Sequence, residues 1–347
     1  MSRRPTTTRL LRADARGLQA AAAILQRGGL VGFPTETVYG LGAHALDAGA
    51  VEAIFAAKGR PADDPVIVHL AEAGQLEHVA VPTELAWRLA ESFWPGPLTL
   101  VLHKQAAVPP GVTAGLDTVG VRVPSHPVAR DLLRTCGLPV AAPSANLFGR
   151  PSPTTARHVL DDLDGRIDAV LDGGPATVGV ESTIVDLTAW PPRLLRPGGL
   201  PAEALEAVLG TSLAGPDVAH KGPQTAPGML PVHYSPRTPL TLITGAVAQQ
   251  RLVHESKAAQ AQGQRIGVIA LTEDVPLLPE GALTAEVGTW DDPSGSASRL
   301  FDALRALDHA NLDLILARDL ADPDVGLGRA LADRLRRAAH RVLDSRD

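Results

Sequence analysis

Apolar residues at positions 18, 21, 22 and 25 recur at the spacing of one helical face, which predicts a helix over 17–26 that Gly28-Gly29 stops. The apolar run 30–33 reads as a strand closed by Pro34, followed by a polar, glycine-containing turn over 35–42. A helix over 49–58 carries Val51, Ile54 and Phe55 as its stripe, and a strand over 66–70 follows Pro65. The alternation continues with a helix over 83–92, strands over 98–102 and 118–123, and a helix over 127–135. Further strands are expected over 138–142, 169–171, 182–187 and 193–196. Strands and helices mixed in this order predict an α/β fold with a mixed sheet.

From 215 to 239 the pattern breaks. Six prolines with interspersed glycines (Pro216, Pro223, Pro227, Pro231, Pro236 and Pro239) predict an extended, semi-rigid linker. Beyond it, strands over 240–243, 266–270 and 312–317 alternate with helices over 296–306 and 329–343, the pattern of a small Rossmann-like unit. Gly326-Leu327-Gly328 reads as a turn before the last helix, because the third glycine of a dinucleotide fingerprint is missing. The expected division is a domain over 1–214, a linker over 215–239 and a second domain over 240–347. The start, Met1-Ser2-Arg3-Arg4, has no apolar segment behind it and is expected to be a short leader into the fold rather than a secretory signal.

Composition narrows the function classes. Of 347 residues 45% are hydrophobic but only 3% aromatic, so packing rests on aliphatic side chains. The net charge of −6 lacks the cationic excess of a general nucleic-acid binder, so no direct stable nucleic-acid binding is expected. Cys136 is the only cysteine, which excludes an intrachain disulfide and fits a reducing cytoplasm. No apolar run reaches the ~18–20 residues that cross a bilayer, so no membrane partner is expected. The histidines show no HExxH spacing and have no cysteine partners, so no protein-held metal is expected.

Three segments could carry chemistry. Residues 34–42 follow a strand and offer Thr35, Thr37 and Tyr39 hydroxyls beside Gly40 and Gly42, although a plain strand connection uses the same residue types. Lys58-Gly59-Arg60 ends a helix. Two cations there can grip a polyphosphate or merely complement the helix dipole, but the dipole does not explain why Lys58 shares the apolar face. Pro143-Ser144-Ala145-Asn146 can bind phosphate or ribose, or simply cap a turn. His69, inside an apolar strand, reads by itself as a hydrogen-bonded core residue.

Taken together these segments resemble the YrdC-type threonylcarbamoyl-AMP synthase family. The resemblance rests on Pro34-Thr35-Glu36-Thr37-Val38-Tyr39-Gly40, Lys58-Gly59-Arg60-Pro61, Val68-His69 and Trp94-Pro95-Gly96-Pro97. It continues through Val121-Arg122-Val123-Pro124, Ala142-Pro143-Ser144-Ala145-Asn146, Glu181-Ser182-Thr183 and Leu195-Arg196-Pro197-Gly198, in that order. His233-Tyr234-Ser235-Pro236 resembles the long, two-domain form. The implied fold is a YrdC-like twisted mixed sheet whose helices form a concave cleft, plus a smaller Rossmann-like C-terminal α/β domain.

The implied activity joins L-threonine, bicarbonate and ATP into threonylcarbamoyl-AMP with release of pyrophosphate. A separate tRNA threonylcarbamoyl transferase is the implied downstream partner, and Mg2+ is expected with ATP. By resemblance Thr37, His69, Arg122, Ser182 and the backbone of Ala142 hold threonine. Lys58, Arg60, Asp64, Thr118, Ser144, Asn146, Ser152 and Arg196 line the nucleotide, with Lys58 and Arg60 catalytic and Tyr234 on the linker closing over it. One departure stands out: Asp64 occupies the place before Pro65 where the family commonly has Asn, and Asp accepts but cannot donate. The alternatives are a non-catalytic double-stranded RNA or tRNA binding module, and a carbamoyl-transfer domain of a larger maturation system.

Overall fold

The computed structural model describes residues 7–61, 64–216, 226–227 and 234–344. The chain divides into two compact units, one within Met1–Phe148, Ser152–Thr177 and Glu181–Leu230, the other within Gly149–Pro151, Val178–Val180 and Pro231–Asp347. Most of the Pro-rich segment, His233 included, lies outside the described residues.

The first unit is built on a mixed sheet of eleven strands. In chain order they are β1 (Arg9–Arg12), β2 (Val31–Phe33), β3 (Gly40–His44), β4 (Val68–His69), β5 (Ala80–Val81) and β6 (Leu98–Lys104), then β7 (Thr118–Arg122), β8 (Val140–Ala141), β9 (Ala169–Asp172), β10 (Thr183–Asp186) and β11 (Arg193–Arg196). They lie in the order β1-β9-β2-β3-β8-β4-β7-β6-β10-β11, with β5 beside β6. The helices are α1 (Ala15–Gln26), α2 (Ala48–Lys58), α3 (Glu84–Phe93), α4 (Pro127–Cys136), α5 (Ala156–Leu163) and α6 (Ala202–Leu209).

Strand β9 shows why both faces of the sheet are covered. Ala169 and Leu171 join an apolar cluster with Ala21 and Leu25 of α1 and Leu132 and Leu133 of α4. Val170 points the other way, into a larger cluster that contains Val51 and Ile54 of α2 and Leu89 of α3. Successive side chains of a strand alternate faces, so a strand buried on both sides must be apolar at every position. Cys136 ends α4 inside the first cluster, where burial pushes its thiol pKa up, as suits a packing residue.

Several sequence expectations need correction. The turn over 35–42 stops early, because Gly40–His44 forms β3, antiparallel to β2. Its glycines hid the strand, yet they are what packing requires: a Cβ on Gly42 would stand 3.0 Å from both the Phe33 ring and Val140. The leader expected at Met1-Ser2-Arg3-Arg4 lies outside the described residues, and Arg9–Arg12 just after it is a strand the pattern did not reveal, paired parallel with β9. The strand expected over 66–70 is shortened to Val68–His69. The final helix ends at Ala338, and Arg341–Asp344 is a parallel edge strand instead of its tail.

The second unit is a five-stranded, all-parallel sheet of β12 (Leu240–Thr244), β13 (Ile266–Leu271), β14 (Leu283–Gly288), β15 (Leu314–Arg318) and β16 (Arg341–Asp344). Helices α7 (Ala248–Ala261), α8 (Pro293–Asp308) and α9 (Gly326–Ala338) connect it. The order β14-β13-β15-β12-β16 places β15 between β13 and β12. The Rossmann likeness therefore lies in the strand–helix–strand build, not in strand order. Gly326-Leu327-Gly328 forms the first helical turn of α9 rather than a turn before it. Among the described residues no helix is long and apolar enough to cross a membrane.

Candidate active site

The carboxyl ends of β4, β7 and β11 and the amino ends of β6 and β10 meet at one edge of the first sheet. His69 and Arg122 are the last residues of adjacent parallel strands and stand directly in register. Ser182 immediately precedes β10, and Arg196 ends β11 opposite Ile184. Short strands thus deliver separate motifs to one place.

Arg122 is the centre of one group. Its Nη1 donates to Thr37 Oγ1 at 2.9 Å, its Nε to the Gly96 carbonyl at 3.3 Å, and its Nη2 lies 2.5 Å from Glu36 Oε1. Thr37 is itself placed by Thr35, whose hydroxyl lies 2.8 Å from the Thr37 hydroxyl and donates to the Val38 carbonyl at 2.6 Å. Burial pushes the Glu36 carboxyl up, but the charge and hydrogen bond of Arg122 outweigh it and hold the pKa below the usual range. His69 is buried edge-on to Phe33 with ring centroids 6.0 Å apart, and Nδ1 lies 3.3 Å from the Ile67 carbonyl. Burial, reinforced by the positive charge of Arg122, lowers its pKa to about 3, so the ring is neutral.

Beside this group, Ser182 Oγ lies 2.8 Å from Thr99 Oγ1. Arg196 Nη2 donates to the Ser182 carbonyl at 2.9 Å and its Nη1 to the Pro227 carbonyl at 2.9 Å. Pro227 belongs to the Pro-rich segment, and its neighbour Ala226 is buried among Ile67, Val101, Ile184 and Leu195. That part of the segment packs on the first unit next to Arg196.

The second group grows out of the end of α2. Gly59 caps the helix in the left-handed conformation (φ 62°), which a residue without Cβ adopts freely. The chain reverses there, so Lys58 and Arg60 both turn inward and are almost fully buried. Lys58 Nζ donates to the carbonyls of Ser144 and Asn146, each at 2.6 Å. Arg60 Nη2 lies 3.0 Å from Asp64 Oδ2 and donates to the Pro65 carbonyl at 2.6 Å. The segments 34–42 and 142–146 are laced together through Leu41 N to the Pro143 carbonyl and Ala145 N to the Tyr39 carbonyl, both at 2.8 Å. Ala142 N donates to the Ile67 carbonyl at 2.8 Å.

The structure brings Thr37, His69, Arg122, Ser182 and Arg196 to one edge and joins Lys58 to Ser144 and Asn146. Ser152 is fully buried and donates to Glu181 Oε1 at 2.5 Å. Thr118 opens β7, at the opposite end of that strand from Arg122. Tyr234 falls in the second unit, where its buried ring packs on Phe301 with centroids 5.4 Å apart and beneath the Arg334 guanidinium. Glu36, Thr99 and Glu181 were not expected as site residues, yet each holds an expected one. Glu36 and Glu181 lie inside recognised motifs, and a carboxylate between buried polar neighbours was the available signal.

Residues 23–198 match the family described as Telomere recombination, and residues 200–340 match the threonylcarbamoyl-AMP synthase C-terminal domain. The chain belongs to the threonylcarbamoyl-AMP synthase family. It is 46% identical to the threonylcarbamoyl-AMP synthase of Pyrococcus abyssi over 93% of this chain and 94% of the relative. It is 45% identical to that of Bacillus subtilis over 92% of each. The crystal structure of P. abyssi Sua5 complexed with L-threonine superposes with a TM-score of 0.89 at 43% identity, covering 98% of this chain and 99% of that one.

Proposed function

We infer that this chain is an L-threonylcarbamoyladenylate synthase, a nucleotidyltransferase that condenses L-threonine, bicarbonate and ATP to threonylcarbamoyl-AMP and pyrophosphate, for threonylcarbamoyladenosine modification of tRNA. The observation that carries the reading is the buried Arg122, fixed by Thr37, Glu36 and the Gly96 carbonyl beside His69, in a family whose P. abyssi member crystallised with L-threonine. A guanidinium has five N–H donors in a planar fork, so those not used by Thr37, Glu36 and Gly96 suit a carboxylate. Ser182, the neutral His69 and the backbone of Ala142 complete the threonine end in this proposal.

ATP is assigned to the side of Lys58, Arg60, Asp64, Ser144, Asn146, Ser152 and Arg196; Thr118 and Tyr234, which the resemblance also implies, lie at the start of β7 and in the second unit. Threonine's amine and bicarbonate give a carbamate, whose oxygen attacks the α-phosphorus as the bond to pyrophosphate breaks. An anion attacking a polyanion gathers negative charge in the transition state. Preorganised buried cations stabilise that charge without reorganising, which is the role proposed for Lys58 and Arg60. Residues 226–227 pack beside Arg196, on the side assigned to ATP.

Magnesium is proposed to accompany ATP. Among the described residues no group of three or more His, Cys, Asp or Glu side chains gathers to hold a metal ion. Asp64 would be the residue to hold it, and the ion would supply neutralisation of phosphate charge.

The test is pyrophosphate release by the purified chain. Release that requires ATP, L-threonine and bicarbonate together is expected. ATP turnover indifferent to threonine, or salt-sensitive RNA binding without adenylate formation, overturns the reading. A cytoplasmic location and a downstream tRNA threonylcarbamoyl transferase are proposed with it.

A further inference from the structure

Asp64 stands out among the ionisable groups of the first unit. Its side chain is only 2% exposed. It lies in the fields of Arg60, Lys58 and Arg196, three cations that converge on the proposed nucleotide side. Arg60 is its direct partner at 3.0 Å. Among the described residues neither carboxylate oxygen has a hydrogen bond of normal geometry. Arg60 is therefore the partner on which the buried carboxylate chiefly depends.

Consider what an arriving triphosphate does to this arrangement. A phosphate is the better partner for Arg60, because several of its oxygens accept in the fork geometry. Once Arg60 turns to it, Asp64 is a buried anion that has lost its nearest cation and faces further negative charge. Such a group would need a compensating charge, and a hard divalent cation carried by the phosphates and held by Asp64 would supply it.

We propose that Asp64 makes nucleotide binding obligatorily magnesium-dependent in this protein, by contributing a buried carboxylate that must be neutralised by the metal when phosphate displaces it from Arg60. The proposal rests on the assignment of Lys58, Arg60 and Arg196 to ATP. Asp64 acts as an electrostatic gate: it rejects metal-free nucleotide and admits the magnesium complex. An uncharged side chain of the same shape keeps the acceptor oxygen for Arg60 and removes the gate.

The experiment is titration calorimetry of ATP into the full chain, without threonine or bicarbonate so that no turnover occurs. Binding is measured in excess Mg2+ and in excess EDTA, for the wild type, Asp64→Asn and Asp64→Ala. The magnesium preference of ATP itself is common to all three proteins and cancels. The expected result is a ratio of the two dissociation constants at least tenfold larger in the wild type than in either variant. Tighter binding of metal-free ATP by the variants should account for most of that difference. Melting temperatures recorded alongside show whether each variant is folded, and the wild type with one folded variant is sufficient. Equal ratios in all proteins overturn the gate while leaving the ATP site intact. No ATP binding by the folded wild type under either condition overturns the nucleotide assignment itself, and the gate with it.

Discussion

Arg122 and Glu36 form an ion pair 2.5 Å long whose two side chains are 4% and 6% exposed. The pair joins β7 to the segment after β2, so it ties a proposed substrate-binding group to the sheet. Removing one partner of a buried pair leaves an uncompensated charge. Glu36→Ala should therefore lower stability by about 3–5 kcal/mol in denaturant unfolding. Glu36→Gln, which keeps an acceptor for Arg122, should cost clearly less.

Arg122→Lys tests the fork rather than the charge. An ammonium cannot reach Thr37, Glu36, the Gly96 carbonyl and a carboxylate together. The expected outcome is a rise in KM for threonine by about a hundredfold, with KM for ATP much less affected. Steady-state pyrophosphate release measures both.

Lys58→Ala and Arg60→Ala should each reduce turnover by at least about a hundredfold, the range for loss of one preorganised electrostatic group. Circular dichroism should show the fold retained. Near-normal rates would remove these residues from the catalytic role.

Gly198→Ala probes the backbone around Ser182. A Cβ there would lie 2.3 Å from the Glu181 carbonyl oxygen and 2.4 Å from the Ser182 carbonyl carbon and the Thr183 nitrogen. Main chain cannot yield cheaply, so the substitution should displace Ser182. A stability loss of about 1–3 kcal/mol and a raised KM for threonine are expected.

His69 has a pH signature. Its pKa falls from the ordinary 6.5 to about 3 because burial, then the charge of Arg122, disfavours the cation. The folded state thus binds the proton more weakly than the unfolded state. Its contribution is complete above the unfolded pKa and lost as pH falls from about 6.5 towards 3, at about 1.4 kcal/mol per unit. Between pH 7 and 5 the wild type should lose more stability than His69→Gln, by about 2 kcal/mol.

Most of the candidate site was legible through motifs of the resembled family, and Lys58 also because it broke a local rule. Lys58 sat on an apolar helical face, and its burial on two carbonyls resolves that conflict. The helices expected over 49–58, 83–92 and 127–135 fall within a residue of α2, α3 and α4, and the structure shows Asp47, Thr83 and Gly137 at their ends. What pattern could not reach depends on distant partners. The strand at Gly40–His44 is glycine-rich because Phe33 and Val140 crowd it, and nothing local reports that crowding. Arg341–Asp344 continues a helical pattern in sequence but pairs with β12, a choice made by the sheet edge. Glu36 was visible as a motif letter, while its meaning required Arg122, 86 positions on.

The pairing of Arg9–Arg12 with Ala169–Asp172 also governs how the molecule can be made. Strand β9 lies between β1 and β2, both of which leave the ribosome well over a hundred residues earlier. Until β9 is synthesised, β2 offers an unpaired apolar edge and β1 has no neighbour at all. Such long-range parallel pairing closes slowly, because chain entropy is lost before contacts repay it. The catalytic sheet is thus completed late in translation, and a chain stalled before residue 169 should be a substrate for chaperones rather than a folded domain.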